Sequence, residues 1–119
     1  MGFESDYADH AVELMVTALR RASRRFAEGA PADESLGVID DALAAAVEMP
    51  APLFLRMSPQ SMVSLLEISA ADDRLVAKIA DALLLEADVF ETEGMLIEAG
   101  VRREQAAAML EFIDPARAN

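Results

Sequence analysis

Hydrophobic side chains recur every three to four residues along most of the chain, and no segment has the pattern of a convincing strand. This is the period of the α-helix, in which side chains three or four positions apart share one face. The pattern predicts an all-α single domain over residues 1–119, built as an irregular five-helix bundle or as stacked antiparallel helical hairpins. The helices are expected at residues 6–28, 33–49, 59–69, 71–99 and 102–113.

Helix-ending and helix-starting residues set these boundaries. Gly29 follows the first helix and is expected to end it, because glycine adopts the left-handed conformation that closes a helix. Ser58-Pro59 is a strong start signal, since serine caps a helix and proline suits the first helical position. The segment 53–56, which follows a proline-rich corner, is long enough for one additional turn.

The helix predicted at residues 71–99 is the longest and is expected to be central. Ser69 to Asp72 resembles a capping box with Asp in place of Glu, and Gly100-Val101 resembles a Schellman stop. Two columns of mostly large apolar residues lie beside a column of small ones, which lets another helix approach closely. These columns are Val76-Leu83-Phe90-Ile97, Leu75-Ala82-Val89-Leu96 and Ala80-Ala87-Gly94.

Two glutamates, Glu86 and Glu93, interrupt the apolar face of this long helix. A carboxylate buried alone is costly, so each needs a partner or a route to water. Four arrangements meet that need: exposure along a groove edge, pairing with arginines of another helix or another copy, a metal site, or an acid/base pair. Neither glutamate has an activating neighbour in sequence, and the Glu-x-x-His pattern of carboxylate metal bundles is absent. No catalytic residue, metal or cofactor is therefore expected.

The only concentration of basic residues comprises Arg20, Arg21, Arg24 and Arg25. Like charges four positions apart destabilise a helix slightly, so acidic partners are expected. Glu28 can pair with Arg24, and Arg25 lies near enough to the apolar face to reach Glu86 or Glu93. The alternative is contact with nucleic-acid phosphates. Because aromatic residues are not interleaved and the remaining surface is acidic, a structural or protein-binding role is favoured over a nucleic-acid one.

Composition and charge exclude several function classes. The net charge of −12 repels phosphate backbones over the molecule as a whole, and the absence of cysteine excludes disulfides and thiolate chemistry. His10 is the only histidine, which excludes multi-histidine metal sites. No apolar stretch approaches the length that spans a bilayer, and the acidic start is unlike a signal peptide, so a cytoplasmic protein without membrane contact is expected. Abundant arginine and alanine favour a GC-rich bacterial coding sequence.

The chain also carries more large apolar residues than one layer of neighbouring helices needs. Exposed together, such residues would form the kind of patch that marks an interface. Self-association, as a homodimer, or a protein partner is therefore expected. The surplus residues are Leu53, Phe54, Leu55, Leu84, Leu85 and Met95.

The last two predicted helices resemble a degenerate tetratricopeptide unit. Phe90-x-x-Glu93-Gly94-x-x-Ile97, followed by Ala106-x-x-x-Leu110-x-x-Ile113, is similar to the repeat's spacing of large and small positions. The resemblance spans residues 90–113, with glutamate where the repeat has leucine at position 93. It implies an antiparallel helical hairpin and favours a protein-binding role.

These observations predict a non-catalytic protein-interaction or adaptor module that associates with itself. The alternatives are a nucleic-acid-associated regulator that uses the arginine cluster and, less favoured, a metal-binding enzyme that uses the two glutamates. The candidate interaction residues are Arg20, Arg21, Arg24, Arg25, Glu86, Glu93, Phe54 and Leu55.

Overall fold

The computed structural model describes the backbone of residues 3–114 and the side chains of residues 7–114. Within that range the chain is all-helical, as predicted, but it forms six helices rather than five. They are α1 (Phe3–Ala27), α2 (Ala32–Val47), α3 (Ala51–Leu55), α4 (Pro59–Ile68), α5 (Asp73–Thr92) and α6 (Leu96–Ile113). The radius of gyration of 13.9 Å is that of one compact domain of this length. The outermost residues of the predicted domain, 1–2 and 115–119, lie outside the described range.

Helix α5 lies at the centre and contacts α1, α2 and α6, while α4 packs on α6 and α3 on α2. Most of the buried side chains of α5 are apolar, including Val76, Ile79 and Leu83. They meet large apolar residues from the surrounding helices, because each of those helices turns one apolar stripe inward. The largest fully buried residues from the other helices include Met15, Ile39, Leu43, Phe54, Met62 and Met109. No described helix combines the length and the apolar character needed to cross a membrane.

Two of the predicted helix boundaries are confirmed in detail. Ser58 caps α4, and its hydroxyl accepts a hydrogen bond from the Ser61 N–H at 3.1 Å. Gly29 has a φ of 80° and closes α1, with its N–H donating to the Phe26 carbonyl at 3.1 Å. The additional turn predicted at 53–56 is part of a short helix, α3, of five residues, which begins earlier than predicted, at Ala51 inside the proline corner.

The long helix predicted at residues 71–99 is wrong, because the chain turns at Gly94. Gly94 has a φ of 79°, and the N–H groups of Gly94 and Met95 each donate at 2.9 Å, to the carbonyls of Glu91 and Phe90. This is the hydrogen-bond pattern of a Schellman motif, which ends α5. Gly100, predicted to be the stop, lies inside α6.

The earlier turn changes which residues belong to the core. Leu96 and Ile97 were expected to continue the large apolar columns, but they lie on α6 and are exposed. Phe54 and Leu55 were expected on the surface, but both are buried, because α3 turns that end inward against the core cluster. Of the other surplus residues, Leu53, Leu84 and Met95 are exposed and Leu85 is half-buried.

The junction between α4 and α5 also differs from the predicted capping box. Ser69 ends α4, with its hydroxyl donating to the Leu65 carbonyl at 2.9 Å, and Asp72 caps α5 by accepting the Arg74 N–H at 2.8 Å. Between them Ala70 has a φ of 54°, in the left-handed region. An alanine there is strained, because its Cβ approaches the following carbonyl oxygen.

Replacing the strained residue, Ala70→Gly, is expected to raise the free energy of unfolding by about 0.5–1 kcal/mol, since relief of left-handed strain exceeds glycine's extra entropy in the unfolded chain. Urea denaturation measures the change. Ala107→Gly is the matched control: Ala107 is exposed inside α6, and the same substitution there should cost about 1 kcal/mol. Destabilisation by both variants would contradict the strain at Ala70.

Candidate functional site

The most buried charged side chain of the described chain is Glu86, on the inner face of α5. It is only 1% exposed. Arg102 reaches it from α6, with Nε donating to Glu86 Oε1 at 2.9 Å. The guanidinium also lies over the ring of Phe90, 5.6 Å from its centroid. Of the four arrangements that the sequence left open for Glu86, the structure has pairing with an arginine of another helix.

Arg102 and Gln105 also hold the end of α3. Arg102 Nη1 donates to the Leu55 carbonyl at 3.3 Å and to Gln105 Oε1 at 3.2 Å. Gln105 Nε2 donates to the carbonyls of Leu55 and Met57, at 3.0 and 3.1 Å. The last carbonyls of a helix have no partner within it, and burying them unpaired is costly. The two side chains therefore let α3 end inside the protein.

A second carboxyl group, that of Asp40 on α2, lies against Glu86. Within the described structure, Asp40 Oδ1 and Glu86 Oε2 are buried and have no separate donor. Two such groups are stable together when they share one proton. Burial, reinforced by the hydrogen bond to Asp40 and its charge, raises the pKa of Glu86 to about 8 against the opposing effect of Arg102. At neutral pH one proton and one negative charge therefore face one guanidinium.

Glu93 has a different environment from Glu86. It caps the end of α5 and is exposed, so the two glutamates are not part of one site. Among the residues that the structure describes, no three histidine, cysteine or acidic side chains converge as metal ligands would. Glu86 itself is closed to solvent, and a general acid must reach its substrate. The arrangement therefore holds α2, α3, α5 and α6 together around two carboxyl groups, one shared proton and one guanidinium, which carry no net charge.

The arginine cluster divides into two pairs. Arg25 does not reach Glu86 or Glu93; it pairs with Glu28 at 2.9 Å and with Glu34. The hydrogen bond from Arg25, aided by its charge and that of Arg21, lowers the pKa of the Glu34 carboxyl. Arg21 shares the face of α1 that carries Arg25, because residues four positions apart lie on the same side of a helix. The other pair, Arg20 and Arg24, lies on the neighbouring face.

That other pair lines a shallow open groove between α1 and α5, which we call the α1–α5 groove. Its basic residues are Arg20 and Arg24 from α1 and Lys78 from α5. Lys78 Nζ lies 3.3 Å from Asp81 Oδ2. The groove also contains the half-buried apolar side chains of Val16, Leu19 and Leu85. Basic groups therefore surround an apolar floor.

An apolar surface lies at the beginning of α6, and we call it the α6 patch. Its residues are Met95, Leu96, Ile97 and Val101, all exposed. Helical geometry explains the exposure. Ile97 and Val101 lie on the side of α6 opposite Ala99, Ala106 and Met109, which are fully buried. Two exposed acidic residues accompany the patch: Glu93 precedes it, and Glu98 lies between Ile97 and Val101 in sequence.

A cavity of about 470 Å³ lies where the ends of α1, α2, α4 and α5 meet. Tyr7 donates its hydroxyl to Glu48 Oε2 at its edge, at 2.9 Å, and this hydrogen bond is the main cause of a raised Tyr7 pKa. Glu48 and Ala70 both line it, and both have left-handed backbone. No sequence pattern indicates this cavity, because glutamate and alanine do not favour the left-handed conformation.

Sequence reasoning missed three residues of the buried centre: Asp40, Arg102 and Gln105. A sequence signal existed for Asp40, because it lies on the same apolar stripe of α2 as Leu36, Ile39 and Leu43. An acidic residue at such a position needs a buried partner. Arg102 had been placed at the start of a helix, where its contact with Glu86 is not visible from spacing alone.

Comparison with protein-family models, with curated proteins and with solved structures finds no match for this chain. The buried centre accounts for folding. The α6 patch and the α1–α5 groove are two surfaces that take no part in that centre.

The shared proton predicts how stability depends on pH. An unfolded glutamate releases its proton near pH 4.5, whereas folded Glu86 keeps it to about pH 8. The folded state binds more protons between these values, so Glu86 lowers stability as pH rises across that window, by up to about 1.4 kcal/mol per pH unit. Glu86→Gln keeps an acceptor for Arg102 and a donor for Asp40, and should remove this fall.

Urea denaturation between pH 5 and 9 measures the effect, with the gain of Glu86→Gln over wild type growing toward alkaline pH. Glu93→Gln is the control. Because Glu93 is exposed, this substitution should leave the wild-type dependence of stability on pH unchanged. Parallel profiles for wild type and Glu86→Gln would show that no proton is held at this site.

Neighbouring arginines give a second test. Arg102→Ala breaks a buried pair and should lower the free energy of unfolding at pH 7 by about 3 kcal/mol. Arg103→Ala should cost less than about 1 kcal/mol, because the Arg103 side chain is 42% exposed where it pairs with Glu91. Thermal or chemical denaturation compares them, and equal losses would contradict the anchoring role of Arg102.

Proposed function

We propose that this protein is a non-catalytic interaction module that associates with itself through the α6 patch. The observation that carries the proposal is the exposure of four neighbouring apolar side chains: Met95 41%, Leu96 65%, Ile97 81% and Val101 42%. Single exposed apolar residues are ordinary, but a contiguous group of them is typical of an interface. Covering large apolar side chains contributes about 1.5–3 kcal/mol each when burial is complete.

The hairpin of α5 and α6 supports this role. Arg102 pairs with Glu86 and Arg103 with Glu91, so the two helices run antiparallel after their short turn. The small residues Ala99 and Ala106 face inward on α6, which lets the helices approach closely. The resemblance to tetratricopeptide hairpins favours protein binding for such a unit. The closed environment of Glu86 supports a structural rather than a catalytic role for that carboxyl.

Solution mass tests the proposal directly. By size-exclusion chromatography with light scattering, the wild-type protein should exceed the mass of one chain at high concentration, and Ile97→Asp should elute as a monomer. Ile97 lies in the first turn of α6, where an acidic residue suits the helix dipole, so the variant should fold.

Ile68→Asp is the matched control. Ile68 is 84% exposed and is the last residue of α4, close to the beginning of α5. The α6 patch lies beyond the other end of α5, which is roughly 30 Å long. Ile68→Asp should associate like wild type. A wild-type protein that stays monomeric up to its solubility limit would refute the proposal, and equal losses in both variants would refute the assignment to the α6 patch.

A further inference from the structure

We propose that the α6 patch of one copy docks into the α1–α5 groove of a second copy. This rests on the proposed self-association and names the surface that receives the patch. It differs from a contact of patch with patch, and the two arrangements predict different responses to charge changes.

Charge disfavours a contact of patch with patch. Glu93 and Glu98 are both exposed beside the α6 patch, at the end of α5 and in the first turn of α6. Two such surfaces face to face would bring four carboxylates together, and like charges across an interface are costly. The net charge of −12 adds general repulsion between copies. A stable contact therefore needs a basic surface opposite the patch.

The α1–α5 groove is such a surface. Among the described residues, Arg20 and Arg24 make no ion pair, whereas Arg25, Arg74, Arg102 and Arg103 each have acidic partners. The guanidinium groups of Arg20 and Arg24 are therefore available to carboxylates of another molecule. The side chains of Val16, Leu19 and Leu85 between them are half-buried and would gain from being covered.

The two surfaces match in both chemistry and sign. The patch presents apolar side chains with carboxylates beside them, and the groove presents an apolar floor with Arg20, Arg24 and Lys78 around it. A nucleic acid would satisfy the cations but would leave the apolar floor uncovered. An acidic surface with an apolar centre fits better, and this chain carries one.

Charge exchange between two variants tests the inference. Arg20→Glu with Arg24→Glu makes the groove acidic, and Glu93→Lys with Glu98→Lys makes the patch basic. Each double variant alone should lose self-association by at least about tenfold in Kd, because every patch then meets a groove of its own sign. An equimolar mixture should associate again, since every patch then meets a groove of opposite sign. Sedimentation velocity of each protein and of the mixture measures this.

Two controls use exposed residues outside both surfaces. Arg21→Glu changes a residue of α1 that does not line the groove, and Glu67→Lys changes an exposed residue of α4 next to Ile68, far from the patch. Both should associate like wild type.

The outcomes separate this inference from the proposed function. If Ile97→Asp abolishes association but the groove variant still associates, the α6 patch is the interface and the groove is not its partner. If wild type never associates, both ideas fail. If wild type is monomeric and binds a mixed-sequence DNA duplex, with binding lost in the groove variant, the groove receives nucleic acid and the inference is overturned.

Discussion

Arg102 is the cation around which four elements of the chain are arranged. It holds Glu86 on α5, contacts Gln105 on its own helix and reaches the end of α3, while Asp40 on α2 completes the set. Two carboxyl groups and one guanidinium are neutral together only when one proton is kept. Because an unpaired charge in the interior is costly, this balance favours one arrangement of the helices over others.

The same pairing sets the rotation of α6. Once Arg102 faces Glu86, Ala99, Ala106 and Met109 turn into the core. Ile97 and Val101 must then face outward, because they lie on the opposite side of the helix. The Gly94 turn places the beginning of α6 at the end of α5, so these residues form a surface instead of extending the core. The exposure of the α6 patch is thus a consequence of how the interior satisfies its charges.

Much of the fold could be predicted from sequence, because the apolar period and the signals at Gly29 and Ser58 act locally. The break of the long helix could not. Gly94 and Gly100 both follow apolar helical segments, and a glycine inside a helix costs only about 1 kcal/mol. The choice between them depends on which one lets Arg102 reach Glu86, and that is a tertiary contact. Arg102 could not be predicted for the same reason, although the buried position of Glu86 indicated that it needs a partner. For Asp40, its place on the apolar stripe of α2 was a usable local signal.

Docking of the α6 patch in the α1–α5 groove is tested most directly by ¹H–¹⁵N amide spectra recorded over a dilution series. Such docking predicts that amides at the α6 patch, such as Leu96 and Ile97, shift with concentration together with those of Leu19 and Leu85 in the α1–α5 groove. The amides of Gln60, Ser61 and Ser64, which are exposed on α4, should not shift. Spectra that are unchanged over the series, or shifts confined to one of the two surfaces, would contradict it.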